Sequence, residues 1–441
     1  MIKQIDKIIT KGFPKTVGIS LFEEQIVRAF FLSDDFSFLK QLSLKNEVII
    51  FTNRTIGNFL DIRIKQLSIN KTKIIEMEIV KESFLVKVFS FCLKWSDPSS
   101  ATLRNLYRER NSGRMRVFGF WLRKIFFYIF SHSVLLKSFF RKLLFLSYKL
   151  KYVEDSTKSI MPCIDVFIST ALTNSESDLP LSIYFKRKGI PVISSLRSWD
   201  NLVTKGTLKF QPDLFLSHSG YMTDMAIHIH GIKASSVIQS VTPAYQKRFI
   251  GDTKHQRSSS PKITYGCIGP VLNPDELNFI NWLGQVSRET DSCISIVQHP
   301  KFKHNLSRVD TGNLVFETFD YLTSKLQDYY DFIAQQDLVI ASGTSFALDT
   351  LFVQTPLIGL AFEVIEQDYW LSHLRSYDEL PHSKYLFDNL LIKKVSSKLE
   401  LSKILKSKVV HQNLINSTNT LRYLTGDTEM RFDNQLLKIL N

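Results

Sequence analysis

DLVIASGTSFALDTLFVQTPLIGL, residues 337–360, reads as strand, turn, helix and strand in one continuous run. Leu338 to Ala341 is a short apolar strand, Ser342-Gly343-Thr344-Ser345 a turn, Ser345 to Phe352 a helix and Pro356 to Leu360 a second strand. A strand that ends in small hydroxylated residues and passes at once into a helix gathers free backbone N–H groups, hydroxyls and the positive end of the helix dipole. They converge beyond the strand's carboxyl end, where they suit a phosphate or diphosphate. Asp349, four residues past Ser345, falls one turn along the same helix, placed to accept hydrogen bonds from a ribose. The plainer alternative is that Thr344 or Ser345 only caps the helix.

The same alternation continues on both sides. Upstream lie Ile263 to Cys267 (strand), Pro274 to Arg288 (helix), Cys293 to Gln298 and Leu314 to Glu317 (strands) and Leu326 to Gln335 (helix). The first of these strands leads into Gly266-Cys267-Ile268-Gly269-Pro270, a turn whose missing side chains let a ligand come close. Cys293 to Gln298 leads into His299-Pro300-Lys301, which brings an imidazole and an ammonium to the same sheet edge. Further upstream, seven β-rich runs are spaced for a parallel sheet: Thr16 to Leu21, Glu47 to Thr52, Lys73 to Met77, Val166 to Thr170, Pro191 to Ser195, Leu214 to His218 and Ser236 to Ser240. The polar stretch Gln246 to Lys262 carries no apolar period and reads as a linker. The expected organisation is α/β: a Rossmann-like domain over 1–248, a linker over 249–262 and a second Rossmann-like domain over 263–441 ending in helices.

Bulk features narrow the function. The 441-residue chain is 44% hydrophobic and 22% charged, which excludes a disordered or fibrous protein. Cys92, Cys163, Cys267 and Cys293 stand singly, so neither a zinc ribbon nor a disulfide framework is indicated. Met1 to Lys15 lacks the pattern of an export signal, and a cytoplasmic location is expected. The most apolar stretch, Ile125 to Leu136, is far short of the roughly 18 to 20 residues needed to cross a bilayer.

The net charge of +14 is unevenly spread. Residues 104–151 carry twelve Lys and Arg against the single acid Glu109, hence +11 of the total. At 100° per residue Arg116, Arg123, Lys124, Lys137, Arg141, Lys142 and Lys149 fall within about 140°, with Trp121, Phe127 and other large apolar side chains filling the rest. This pattern predicts a cationic amphipathic helix, or two if Ser131 to Ser133 breaks it, lying on an anionic membrane surface. A core helix pair with a basic solvent face is the simpler alternative. A nucleic-acid surface is disfavoured because the rings are mostly Phe in unbroken apolar faces.

The order of strand, glycine turn, His-Pro, Ser/Thr-rich turn and downstream acid resembles the nucleotide-binding half of GT-B glycosyltransferases. It looks most like the bacterial surface-polysaccharide and CDP-glycerol-type polymer transferases. The resemblance implies two Rossmann-like domains facing a cleft, with His299, Pro300, Ser342, Gly343, Thr344, Ser345 and Asp349, together with Gly269, around the donor nucleotide. That family usually has Glu in place of Asp349 and often Arg in place of Gln298. In the first half Ser198-Trp199-Asp200-Asn201 and Lys205-Gly206 are similar to a cleft-facing loop of surface-carbohydrate GT-B proteins.

Asp200, on a loop after a buried strand, is suited to act as general base toward an acceptor hydroxyl, and Trp199 to stack on a sugar face. The alternative makes Asp200 and Asn201 a turn and Trp199 a packing residue. Glu23 and Glu24, after the first strand, and His218 are competing bases. The expected activity is transfer of a sugar from a nucleotide-activated donor to a lipid-linked or surface-polysaccharide acceptor, at the inner face of the plasma membrane. Neither a metal nor another cofactor is expected, since no Asp-x-Asp motif is present. A sugar-nucleotide epimerase or hydrolase, or a non-catalytic polysaccharide assembly protein, are the competing readings.

Overall fold

The computed structural model describes residues 15–32, 35–111, 113, 116–157, 159–171, 178–196, 198–241, 261–267, 274–298, 312–341, 345–364, 380–406, 423–424 and 432–440. The chain divides into two compact units. One comprises Met1–Pro98, Trp121–Lys247 and Arg422–Asn441; the other comprises Ser99–Phe120 and Arg248–Leu421. All but the last two residues of the expected linker lie outside the described residues.

The first unit is built on strands β1 (Thr16–Leu21), β2 (Glu47–Thr52), β3 (Thr72–Glu76), β4 (Val166–Ser169), β5 (Val192–Ser195), β6 (Leu214–Ser217) and β7 (Val237–Gln239). They form one sheet in the order β3-β2-β1-β4-β5-β6-β7, every neighbouring pair parallel. Burial on both faces explains why β2, β4 and β6 are nearly unbroken apolar runs. The order reverses between β1 and β4, where Val17 pairs with Val166 and Ile19 with Ile168. Such a reversal opens a crevice at the strands' carboxyl ends. Phe51, Phe167 and Phe185 fill one face with ring centroids 4.7 to 6.0 Å apart, and burial of each contributes about 1.5–3 kcal/mol.

Helices up to the end of this sheet are α1 (Glu24–Phe30), α2 (Ser37–Lys45), α3 (Arg54–Gln66), α4 (Phe84–Trp95), α5 (Ser100–Asn111), α6 (Val117–Phe130), α7 (Val134–Ser147), α8 (Leu150–Asp155), α9 (Asp178–Arg187), α10 (Asn201–Thr204) and α11 (Gly220–His228). Between β3 and β4, therefore, the basic region is a succession of helices. Ser133 separates α6 from α7, its Oγ accepting from Leu136 N at 3.3 Å as an N-cap.

The second unit carries β8 (Lys262–Gly266), α12 (Pro274–Thr290), β9 (Cys293–Gln298), β10 (Leu314–Thr318), α13 (Leu326–Ala334), β11 (Leu338–Ile340), α14 (Ser345–Phe352), β12 (Leu357–Leu360), α15 (Pro381–Asp388), β13 (Lys393–Val395) and α16 (Lys398–Lys406). Its six strands are again all parallel, in the order β10-β9-β8-β11-β12-β13, with the reversal between β8 and β11. Tyr265, Phe279, Ile296 and Ile340 belong to one buried core. The chain then returns to the first unit in α17 (Phe432–Leu440). There Leu436 and Leu440 are buried, and the buried Lys15 ammonium donates to the Leu440 carbonyl at 2.7 Å.

Candidate functional site

In the second unit, β8 and β11 adjoin at the reversal, with Ile340 in register with Tyr265. Gly266, Gln298 and Ile340 end β8, β9 and β11, and the segments bearing Gly269, His299-Pro300 and Ser342-Gly343-Thr344 follow those ends directly. These six residues lie outside the described residues. Ser345 is described, as the first residue of α14, and Asp349 sits one turn along it, half-buried. The Asp349 carboxylate accepts hydrogen bonds from Tyr329 Oη at 2.8 Å on one oxygen and Tyr330 Oη at 3.4 Å on the other. Two tyrosines of α13 thus fix its orientation. Nothing in the spacing of Tyr329 and Tyr330 announced this; only the packing of α13 beside α14 brings them to Asp349.

Gly266 departs from its expected role. A Cβ there would lie 2.4 Å from the Phe346 ring, so the space left by the missing side chain is taken by this chain's own α14. The glycine brings the start of α14 close against the end of β8. It does not itself admit a ligand.

In the first unit, polar side chains line the carboxyl ends of β1, β4, β5 and β6. Glu23 follows β1 at the N-cap of α1, its backbone carbonyl accepting from Ile26 N at 2.9 Å and Val27 N at 3.2 Å, with the side chain half-buried. Asp200 stands at the N-cap of α10. Its carboxylate accepts from Ser198 Oγ and, at 3.2 Å, from Thr204 Oγ1, and it stays half-buried. These bonds are those of a turn and also hold both carboxylate oxygens in a defined orientation.

Trp199 is 1% exposed with its ring tilted against Tyr221 at 5.5 Å, which is the packing alternative and not an open platform for a sugar. Asn201 is likewise buried, whereas Lys205 is exposed. His218 is buried 3.4 Å from Ser195 Oγ, and burial pulls its imidazole down to about 3, so it is neutral near pH 7.

A further buried carboxylate went unmarked in the sequence. Asp178, the first residue of α9, accepts from Ser20 Oγ on β1, from Ser169 Oγ at 2.6 Å at the end of β4, and from Ala171 N at 3.3 Å. It ties the two strands at the reversal, and its burial raises its pKa. Serines at both strand ends and an acid opening the next helix were its only signal.

The loop bearing Asp200 is braced from behind. His230 accepts from Leu208 N at 3.1 Å through Nδ1, and its Nε2 contacts Leu202 O at 2.6 Å, an assignment that makes Nε2 the protonated nitrogen. Arg141 Nε donates to Leu208 O at 2.7 Å. Gly206, at φ +82°, has its Cα against the Lys94 carbonyl, so a Cβ would stand 3.1 Å from that oxygen.

Arg141 and Lys137 were expected on an outward basic face. They are 8% and 5% exposed, and burial lowers the pKa of both, Arg141 to about 10. The buried Asp97 acts in the opposite direction on Lys137. The expected arc is therefore corrected: these two cations serve as inward braces. Arg123 is half-buried with its guanidinium over the rings of Trp95 (4.9 Å) and Phe91 (5.5 Å), and Phe127 is buried. Arg116, Lys142 and Trp121 remain exposed, and Lys124 is half-buried over the Trp121 ring at 5.0 Å.

No family model matches the sequence, and no curated protein matches it. The resemblance to CDP-glycerol-type polymer transferases thus rests on motifs alone. Among solved structures, the glycotransferase of kitacinnamycin is similar over 97% of this chain and 100% of its own, at 11% identity and a TM-score of 0.50. The S. aureus MnaA–UDP co-structure is similar over 96% and 95%, at 10% identity and a TM-score of 0.51. A UDP-GlcNAc 2-epimerase from Methanocaldococcus jannaschii is similar more loosely, over 96% and 99%, at 10% identity and a TM-score of 0.48. At these identities the likeness is one of architecture: the chain has the α/β fold of GT-B proteins, with two Rossmann-like domains.

Proposed function

We propose that the chain is a glycosyltransferase that moves a sugar from a nucleotide-activated donor to a lipid-linked or polysaccharide acceptor. The observation that carries the reading is Asp349, oriented by Tyr329 and Tyr330 one turn inside a helix that starts just beyond β11, at the strand reversal. Likeness of fold to a protein solved with UDP supports a nucleotide donor.

In this reading the nucleotide lies across the ends of β8, β9 and β11, its ribose on Asp349. The diphosphate meets Ser345 and the start of α14, with His299, Pro300, Gly269 and the Ser342-Gly343-Thr344 turn around it. Asp200 takes the proton from the acceptor hydroxyl, whose oxygen attacks the anomeric carbon. The bond from that carbon to the diphosphate breaks, and the charge left on the nucleotide is stabilised by the helix N-terminus and by His299, with no metal required. Glu23, Asn201 and Lys205 belong to the acceptor side, where Trp199 acts by packing.

Thermal-shift titration with UDP, CDP, CMP and GDP, followed by product analysis of the matching nucleotide sugar with and without acceptor, tests the proposal. Nucleotide-specific stabilisation with acceptor-dependent sugar transfer is the expected outcome. Conversion of the nucleotide sugar without acceptor would assign an epimerase or hydrolase instead, and no response to any nucleotide would favour a non-catalytic protein.

A further inference from the structure

Large apolar side chains stand on the outward faces of α6 and α7. On α6 the exposed residues include Phe118 (78%), Trp121, Ile125, Tyr128 and Ile129, steps of three, four, three and one that trace one side of a helix. On α7 they include Leu135 (84%), Phe139 and Leu146. Soluble proteins seldom leave so many large side chains open on consecutive helices without a partner. Phe91–Phe126 and Phe130–Phe140 contacts, 5.9 and 6.1 Å between centroids, hold α6 to α4 and to α7 by other faces. The exposed rings are therefore not needed for that packing.

We propose that α6 and α7 form a monotopic docking surface for an anionic lipid bilayer, with these apolar side chains inserted at the boundary between headgroups and acyl chains. Charge selects this occupant. From Arg110 to Val153 the sequence has no acid and ten Lys and Arg, of which Arg116, Lys142, Lys149 and Lys151 are exposed in the structure. A second copy laid face to face would bring like-charged rims together, whereas anionic headgroups complement them. Each helix has 14 residues, about 21 Å of rise, and no described helix is long and apolar enough to cross a membrane, so the two helices lie on the bilayer. Exposed Trp121 and Tyr128 are residue types favoured at the membrane–water boundary. Binding needs no nucleotide, so it is tested independently of the transferase reading.

The test is co-sedimentation of the full chain with phosphatidylcholine vesicles, with and without phosphatidylglycerol. The parent should bind the phosphatidylglycerol vesicles. A combined Trp121→Ser, Ile125→Ser, Leu135→Ser, Phe139→Ser variant should lose roughly 100-fold or more in partitioning while keeping the parent's thermal midpoint, since all four side chains are exposed. Arg116→Glu with Lys142→Glu should remove the preference for phosphatidylglycerol. A parent that ignores both vesicles, or a serine variant that binds as the parent does, overturns the proposal. So does a parent dimer by light scattering that the serine variant dissolves without any vesicle binding, because the face would then serve self-association.

Discussion

Asp200 illustrates how one side chain can satisfy two readings at once. Ser198 and Thr204 hydrogen-bond its carboxylate as a turn requires, and the same bonds set the orientation a base would need. The readings part in substitution. Asp200→Asn keeps the shape and loses the base, so sugar transfer should fall by about 10²- to 10⁴-fold with the nucleotide-induced thermal shift unchanged. Transfer at the parent rate would leave Asp200 only its turn. The buried histidines make a separate prediction. His218 and His230 are each drawn from 6.5 to about 3 by burial, so the folded chain holds them neutral. Below about pH 6.5 the unfolded chain binds their protons and the folded chain does not. Their stabilisation is therefore complete above that pH and is lost as pH falls toward 3, by up to about 1.4 kcal/mol per unit for each. Denaturant titrations at pH 7 and 5 should show the loss, and His230→Gln should reduce the slope; an equal slope in the variant would place the acid sensitivity elsewhere.

At the scale of elements, α7 is the least expected piece. Its charge pattern is helical, and the helix forms. Periodicity alone cannot say which side of a helix meets the protein. The buried Leu208 carbonyl and Asp97 draw Arg141 and Lys137 inward, leaving Leu135 and Phe139 outside. Arg141→Met should strand the Leu208 carbonyl and cost about 1–3 kcal/mol in a denaturant titration; a change within a few tenths would mean that water replaces the guanidinium. The strands were far more legible. Buried parallel strands such as Glu47–Thr52 and Cys293–Gln298 are short runs rich in Val, Ile and Phe, and their limits in the structure match the sequence reading. β13 escaped because an edge strand of three residues, two of them lysine, carries no such run.

Across the whole molecule, two sheets of the same parallel kind each reverse strand order once, at β1/β4 and at β8/β11. Both reversals were implicit in the alternation of strands and helices. The contacts beside them were not: Asp178 meets Ser20 across 158 residues at the first reversal, and in the second unit Tyr329 of α13 meets Asp349 of α14 across 20. The tail could be read as helical, but its assignment to the first unit depends on contacts such as Lys15 to Leu440, which no local pattern encodes. The central claim is that the second unit holds a nucleoside diphosphate. Isothermal titration calorimetry of the full chain against UDP, CDP and GDP, alongside Asp349→Ala, tests it most directly. One of the three should bind at one site per chain, and Asp349→Ala should weaken that binding at least tenfold, about 1.4 kcal/mol. No heat with any of the three, or equal affinity in Asp349→Ala, would contradict it.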